Sequence, residues 1–201
     1  MTTPDDTDHA AKKARIKAAK DKLYASKTIE KGLLIVHTGT GKGKSTAAWG
    51  LAMRCLGHGL KLGVVQFVKG RRDTGERHLL ARFPELVEVK VMGEGFTWET
   101  QDRERDIAAA RAAWNEALRM LTHPDLHLVI LDELNIVLRK DYLPVEEVVE
   151  GLLGKRPDLH VVVTGRNAKP ELLEAADLVT EMTLVKHPFR SGVKAQLGIE
   201  Y

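Results

Sequence analysis

Residues 33–46 read Leu33-Leu34-Ile35-Val36-His37-Thr38-Gly39-Thr40-Gly41-Lys42-Gly43-Lys44-Ser45-Thr46. The opening Leu-Leu-Ile-Val run has no polar alternation, as expected of a strand buried on both faces. A Gly-rich turn follows and opens a helix over about 44–57, closed by Gly57 and Gly59. A Gly-rich turn between a buried strand and a helix, ending in Gly-Lys-Ser, is the context a phosphate-binding P-loop requires. Backbone N–H groups of such a turn converge on phosphate oxygens, and the helix N-terminus adds its dipole. Lys44 is placed to reach the phosphates as a charge, and Ser45 to ligate Mg²⁺. Thr38 stands where the general G-x-x-x-x-G-K-[ST] pattern has glycine, and Gly41 and Lys42 are additional departures.

Working outward, strand and helix patterns alternate. Strands are expected at 62–68, 87–91, 128–131, 160–164 and 178–182. Helices are expected at 75–82, 101–121, from about 133, at 144–153 and at 170–176. This alternation predicts an α/β protein: a P-loop NTPase (RecA-like) fold of about six mostly parallel strands with helices on both faces. Right-handed crossovers gather the strands' C-terminal ends on one functional edge. That domain covers residues 32–201. Ahead of it, residues 1–31 read as a flexible segment, with a polar, disordered start at 1–8 and a helix over 9–25.

Charge sharpens this division. The chain has 201 residues and a formal net charge of +3. Residues 1–31 hold eight basic and five acidic residues, so the whole excess lies there and the body is neutral. A basic nucleic-acid-binding surface is therefore not expected. One cysteine, Cys55, excludes an internal disulfide framework and fits a reducing cytoplasm. No apolar run approaches the ~18–20 residues of a membrane span, and no secretory h-region is present.

Other candidate residues sit at strand ends. Asp132 and Glu133 close the fourth strand, where an acid caps a helix or holds Mg²⁺; beside a P-loop the pair reads as a Walker B site. Arg166 follows the fifth strand on the same edge, either reaching a triphosphate or solvated. Phe96 and Trp98 lie within a Gly-flanked loop, Gly93–Thr100. Two readings are open there: rings that pin the loop by packing, or an apolar platform for a large flat ligand. The eight histidines lack metal-ligand spacing; His123 and His127 flank Pro124, which interrupts a helix. These motifs leave more than one activity open: group transfer from ATP, or hydrolysis by a switch or nucleic-acid-linked ATPase.

Several motifs in order narrow the choice. T-G-T-G-K-G-K-S-T-A-A-W-G at 38–50, V-V-Q-F-V-K-G at 64–70 and G-F-T-W-E-T at 95–100 come first. L-D-E-L at 131–134, V-T-G-R at 163–166 and V-K-H-P-F-R-S-G-V-K-A-Q-L-G-I-E-Y at 185–201 follow. Together they resemble the ATP:corrinoid adenosyltransferase family, the P-loop type of cob(I)yrinic acid a,c-diamide adenosyltransferase, from about residue 31 onward. The leading Thr38 fits that family's variant of the loop. The resemblance implies transfer of the 5′-deoxyadenosyl group of ATP to a Co(I) corrinoid (cobalamin, cobinamide or cobyrinic acid diamide), with release of triphosphate, in adenosylcobalamin biosynthesis or salvage. It implies ATP bound in reversed direction on Thr38, Gly39, Thr40, Gly41, Lys42, Gly43, Lys44, Ser45, Thr46 and Arg166. Mg²⁺ or Mn²⁺ would be held by Ser45, Asp132 and Glu133, and charge on the leaving triphosphate stabilised by Lys42 and Lys44. Phe96 and Trp98 would pack beneath the corrin. A cytoplasmic homodimer with an external electron donor or reductase is also implied.

Overall fold

A computed structural model describes residues 4–68, 74–92 and 102–200. By their contacts, Met1–Lys31 and Gly32–Tyr201 are separate units. In the first, α1 spans Pro4–Ala25. The helix therefore starts earlier than the polar composition of 1–8 leads one to expect. Proline at a first helical position is well tolerated, because its missing N–H would be unpaired there in any case. The apolar positions Ile16, Leu23 and Tyr24 are exposed.

The second unit is a six-stranded sheet. Its strands are β1 (Leu34–Thr38), β2 (Leu62–Gln66), β3 (Val87–Val91), β4 (Leu128–Asp132), β5 (His160–Thr164) and β6 (Leu178–Glu181). They lie in the order β3-β2-β4-β5-β1-β6, and every pairing is parallel. The helices are α2 (Lys44–Gly57), α3 (Gly75–Leu80), α4 (Arg103–Leu121), α5 (Leu134–Arg139), α6 (Val145–Leu153) and α7 (Pro170–Ala175), with a 3₁₀ turn at Pro188–Ser191. The second strand ends at Gln66 rather than Val68, and the fourth helix starts at Arg103, capped by the Asp102 side chain accepting from the Arg105 N–H.

Helices cover both faces, which explains the unbroken apolar strands. On one face Ile35, Leu62, Val64, Leu128, Ile130 and Val162 pack with Ala48, Trp49 and Ala52 of α2 and Leu80 of α3. On the other, Val36, Val65, Val129, Leu131, Val161 and Val163 pack with residues of α4 to α7, Trp114 among them. Successive strand residues thus alternate between two cores. No helix among the described residues is long and apolar enough to cross a membrane.

Candidate active site

The turn after β1 is shaped by two glycines with left-handed backbone, Gly39 (φ 96°) and Gly43 (φ 105°). Only glycine adopts these angles without strain. Gly41 is required by close approach: its N–H donates to the Met182 carbonyl at 2.6 Å, and a methyl group there would lie 2.5 Å from the Thr183 carbonyl oxygen. The loop is thus wedged against the chain leaving β6. Thr38 is the last residue of β1 and is buried. Its hydroxyl accepts from the Ala168 N–H at 3.0 Å, tying the phosphate loop to the segment after β5. A glycine at this first position would lack that tie.

Lys44 opens α2. Its Nζ donates to the Gly39 and Gly41 carbonyls at 2.9 and 2.5 Å, so the ammonium lies across the loop. Burial, Arg166 and Lys42 hold its pKa below the ordinary lysine value, against Glu133, which raises it. Lys42 is exposed and pairs with Glu200 near the C-terminus. Thr40, Thr46 and Arg166 are exposed on the same edge.

Behind the loop, the α2-facing side of the sheet ends in a polar row. Each central strand places one polar residue beyond its last apolar layer: Gln66 on β2, Asp132 on β4, Thr164 on β5 and His37 on β1. Gln66 stands opposite Asp132, and His37 opposite Thr164, in register. Asp132, 5 % exposed, accepts from the Ser45 hydroxyl (2.9 Å) and the Thr164 hydroxyl (2.8 Å) at Oδ1, and from Gln66 Nε2 (3.1 Å) at Oδ2. Both ring nitrogens of His37 are buried with no hydrogen-bond partner among the described residues, and burial lowers its pKa.

Glu133 follows in left-handed backbone (φ 63°), rare for a side chain of this size and a form of strain concentrated at functional sites. Its N–H donates to the Thr164 hydroxyl at 2.9 Å. Burial, then the Asp132 charge, push its carboxyl up to about 7, with Lys44 and Arg166 acting the other way.

Of the residues expected from sequence, the fold brings Thr38, Gly39, Gly41, Gly43, Lys44, Ser45, Asp132 and Glu133 together, with Lys42 and Arg166 at the rim. Phe96 and Trp98 lie outside the described residues. Motif spacing does not mark Gln66, Thr164 or Glu200 as site residues, although the endings Val-Val-Gln, Ile-Leu-Asp and Val-Val-Thr share one signal, a polar residue closing a buried strand in the same phase. The Ser45, Asp132 and Glu133 donors are all oxygens, a hard set suited to Mg²⁺ or Mn²⁺ rather than to zinc. Among the described residues no group of three or more His, Cys, Asp or Glu forms a closed metal cage.

The parallel sheet, the Gly-rich loop between β1 and α2 and the half-buried Ser45–Asp132 pair behind it place the chain in the P-loop α/β class. Residues 30–201 match the family model described as ATP:corrinoid adenosyltransferase BtuR/CobO/CobP, and the chain belongs to that family. A corrinoid adenosyltransferase of Pseudomonas aeruginosa is 54% identical over 98% of this chain and 97% of its own length. One from Escherichia coli K12 is 49% identical over 98% and 99%, and one from Salmonella typhimurium 47% identical over the same shares.

Proposed function

We propose that this chain transfers the 5′-deoxyadenosyl group of ATP to the Co(I) centre of a corrinoid and releases inorganic triphosphate, in adenosylcobalamin biosynthesis or salvage. ATP-dependent adenosylation of corrinoids is the activity of its family, and the chain is a transferase. The finer reading is carried by one observation: a crowded set of cations, Lys42, Lys44 and Arg166, surrounds a P-loop backed by the Ser45–Asp132 hydrogen bond. Burial, with repulsion from Arg166 and Lys42, disfavours the Lys44 charge, so a polyphosphate bound over the loop relieves it.

Attack at C5′ makes triphosphate the leaving group, and charge builds on the phosphate next to C5′. Lys44 and the loop N–H groups are held by β1 and α2 to meet that charge. Lys42 exchanges Glu200 for a phosphate oxygen. Ser45, with Asp132 and Glu133 beside it, would hold Mg²⁺ or Mn²⁺, which supplies further positive charge to the triphosphate. The cobalt nucleophile carries no proton, so no general base is needed. Phe96 and Trp98 are assigned to an apolar wall under the corrin that keeps water and a lower ligand away. A homodimer in the cytoplasm, served by an external electron donor, completes the reading.

Hydrolysis by a switch or nucleic-acid-linked ATPase is not favoured by the family. Product analysis separates the two. Protein, ATP, Mg²⁺ and chemically reduced cobinamide or cobalamin are mixed, cobalt alkylation is followed by absorbance, and the phosphates are resolved by ³¹P NMR. Triphosphate formed one-for-one with alkylated cobalt supports the reading; ADP and phosphate without alkylation overturn it.

A further inference from the structure

We propose that Thr164 is a positioning residue for the divalent ion that accompanies the triphosphate, acting through Asp132 and Ser45, with Gln66 as its counterpart on the other side of the carboxylate. This rests on the function proposed above. A carboxylate has about four acceptor positions. Three on Asp132 are taken by protein donors: Ser45 and Thr164 at Oδ1, Gln66 at Oδ2. Asp132 is therefore committed largely to holding side chains. Ser45, whose proton is given to Asp132, has only lone pairs left for a cation.

Sheet order gives Thr164 this task. β5 lies between the phosphate-loop strand β1 and the Asp132 strand β4. Thr164 at its end reaches across to Asp132 and also accepts the Glu133 N–H. One hydroxyl thus fixes the Asp132 carboxylate and pins the left-handed turn that carries Glu133. Thr164 is fully buried, so solvent does not stand in for its hydroxyl. Partners that orient a metal site's ligands typically change metal affinity 10–100-fold when removed.

The test is a Mn²⁺ titration, read by EPR, of the full chain with saturating ATP and no corrinoid, comparing wild type, Thr164→Val and Thr164→Ser. Valine keeps the shape and loses the hydroxyl; serine keeps the hydroxyl and loses the methyl. Thr164→Val is expected to raise the Mn²⁺ Kd about tenfold or more, with ATP affinity in EDTA unchanged. Thr164→Ser is expected to stay within about threefold of wild type. A folded Thr164→Val protein that binds Mn²⁺ as wild type does overturns the proposal, as does an equal loss in Thr164→Ser, which would make the role one of packing. If Thr164→Val fails to fold, Gln66→Leu carries the test: a rise in Kd of about tenfold supports the proposal, and a Kd within about threefold of wild type overturns it. Wild-type protein that binds Mn²⁺ and ATP but alkylates no corrinoid overturns the functional reading alone, leaving the Thr164 comparison to decide its own question.

Discussion

Gly41→Ala tests whether the phosphate loop is shaped from outside as well as from within. The added methyl would lie 2.5 Å from the Thr183 carbonyl oxygen and 2.7 Å from that of Met182. Ordinary contact begins at 3.4 Å, so one backbone must withdraw by about 0.7–0.9 Å. Neither neighbour is a side chain that can swing aside. Overpacking of this kind costs about 1–3 kcal/mol, which for a chain of this size lowers Tm by about 2–12 °C. Withdrawal of the loop also breaks the 2.6 Å bond from the Gly41 N–H to Met182 and misplaces the N–H groups that meet phosphate. Losing about 1.4 kcal/mol of phosphate binding raises the ATP Kd tenfold, and a shift approaching 1 Å lowers turnover about 100-fold. Gly50→Ala is the control, since Gly50 is exposed in α2 with nothing near its new methyl; it should stabilise by about 0.5–1 kcal/mol. Calorimetric titration with ATP and Mg²⁺, together with thermal melting, reads both variants. A Gly41→Ala protein with wild-type ATP affinity and Tm would refute the reasoning.

Lys44→Met should fold with a Tm near wild type while adenosyl transfer, followed by cobalt alkylation, falls about 10²–10³-fold, because one preorganised charge on the leaving triphosphate is lost. Trp98→Ala should keep ATP affinity by calorimetry and lose most adenosyl transfer from ATP to a corrinoid supplied as Co(II) and reduced by the external donor; unchanged turnover with reductant in excess would remove Trp98 from the corrin wall. Stability should fall in mild acid. His160 Nδ1 accepts the Leu33 N–H at 3.1 Å, and burial, His127 and Lys155 lower its pKa. A histidine depressed in the folded state contributes stability above its ordinary 6.5, and that stability is lost as pH falls below this value toward the folded pKa. Melting scans between about pH 5 and pH 8 should show Tm dropping on the acid side, and less steeply in His160→Asn.

The alternation of elements, the P-loop and the acid closing β4 are local patterns, and the fold keeps them. What sequence order alone hides is adjacency across the sheet. Gln66 and Thr164 lie far from Asp132 along the chain, and only the order β2-β4-β5 makes them its neighbours. Glu200 meets Lys42 because the chain returns to the loop after leaving β6. Asp132 and Glu133 look alike as a sequence pair. A left-handed backbone at Glu133 gives them different surroundings, one carboxylate in a hydrogen-bonded row and the other pushed up to about 7 by burial and its neighbour. The N-terminal helix differs for another reason: low hydrophobicity argues for disorder, yet it does not forbid helix, and α1 runs from Pro4.

The wedge of Gly39 and Gly41 against Met182 and Thr183 also couples nucleotide binding to the least protected part of the sheet. β6 is an edge strand, paired on one side only, with Leu178 and Val179 exposed. Fraying begins at such edges. Each opening of β6 removes one wall of the phosphate loop, so a nucleotide that needs the closed loop binds only the paired state and holds the strand in place by mass action. Amide exchange in β6 should therefore slow when ATP binds. The sheet edge becomes a remote reporter of occupancy at the loop.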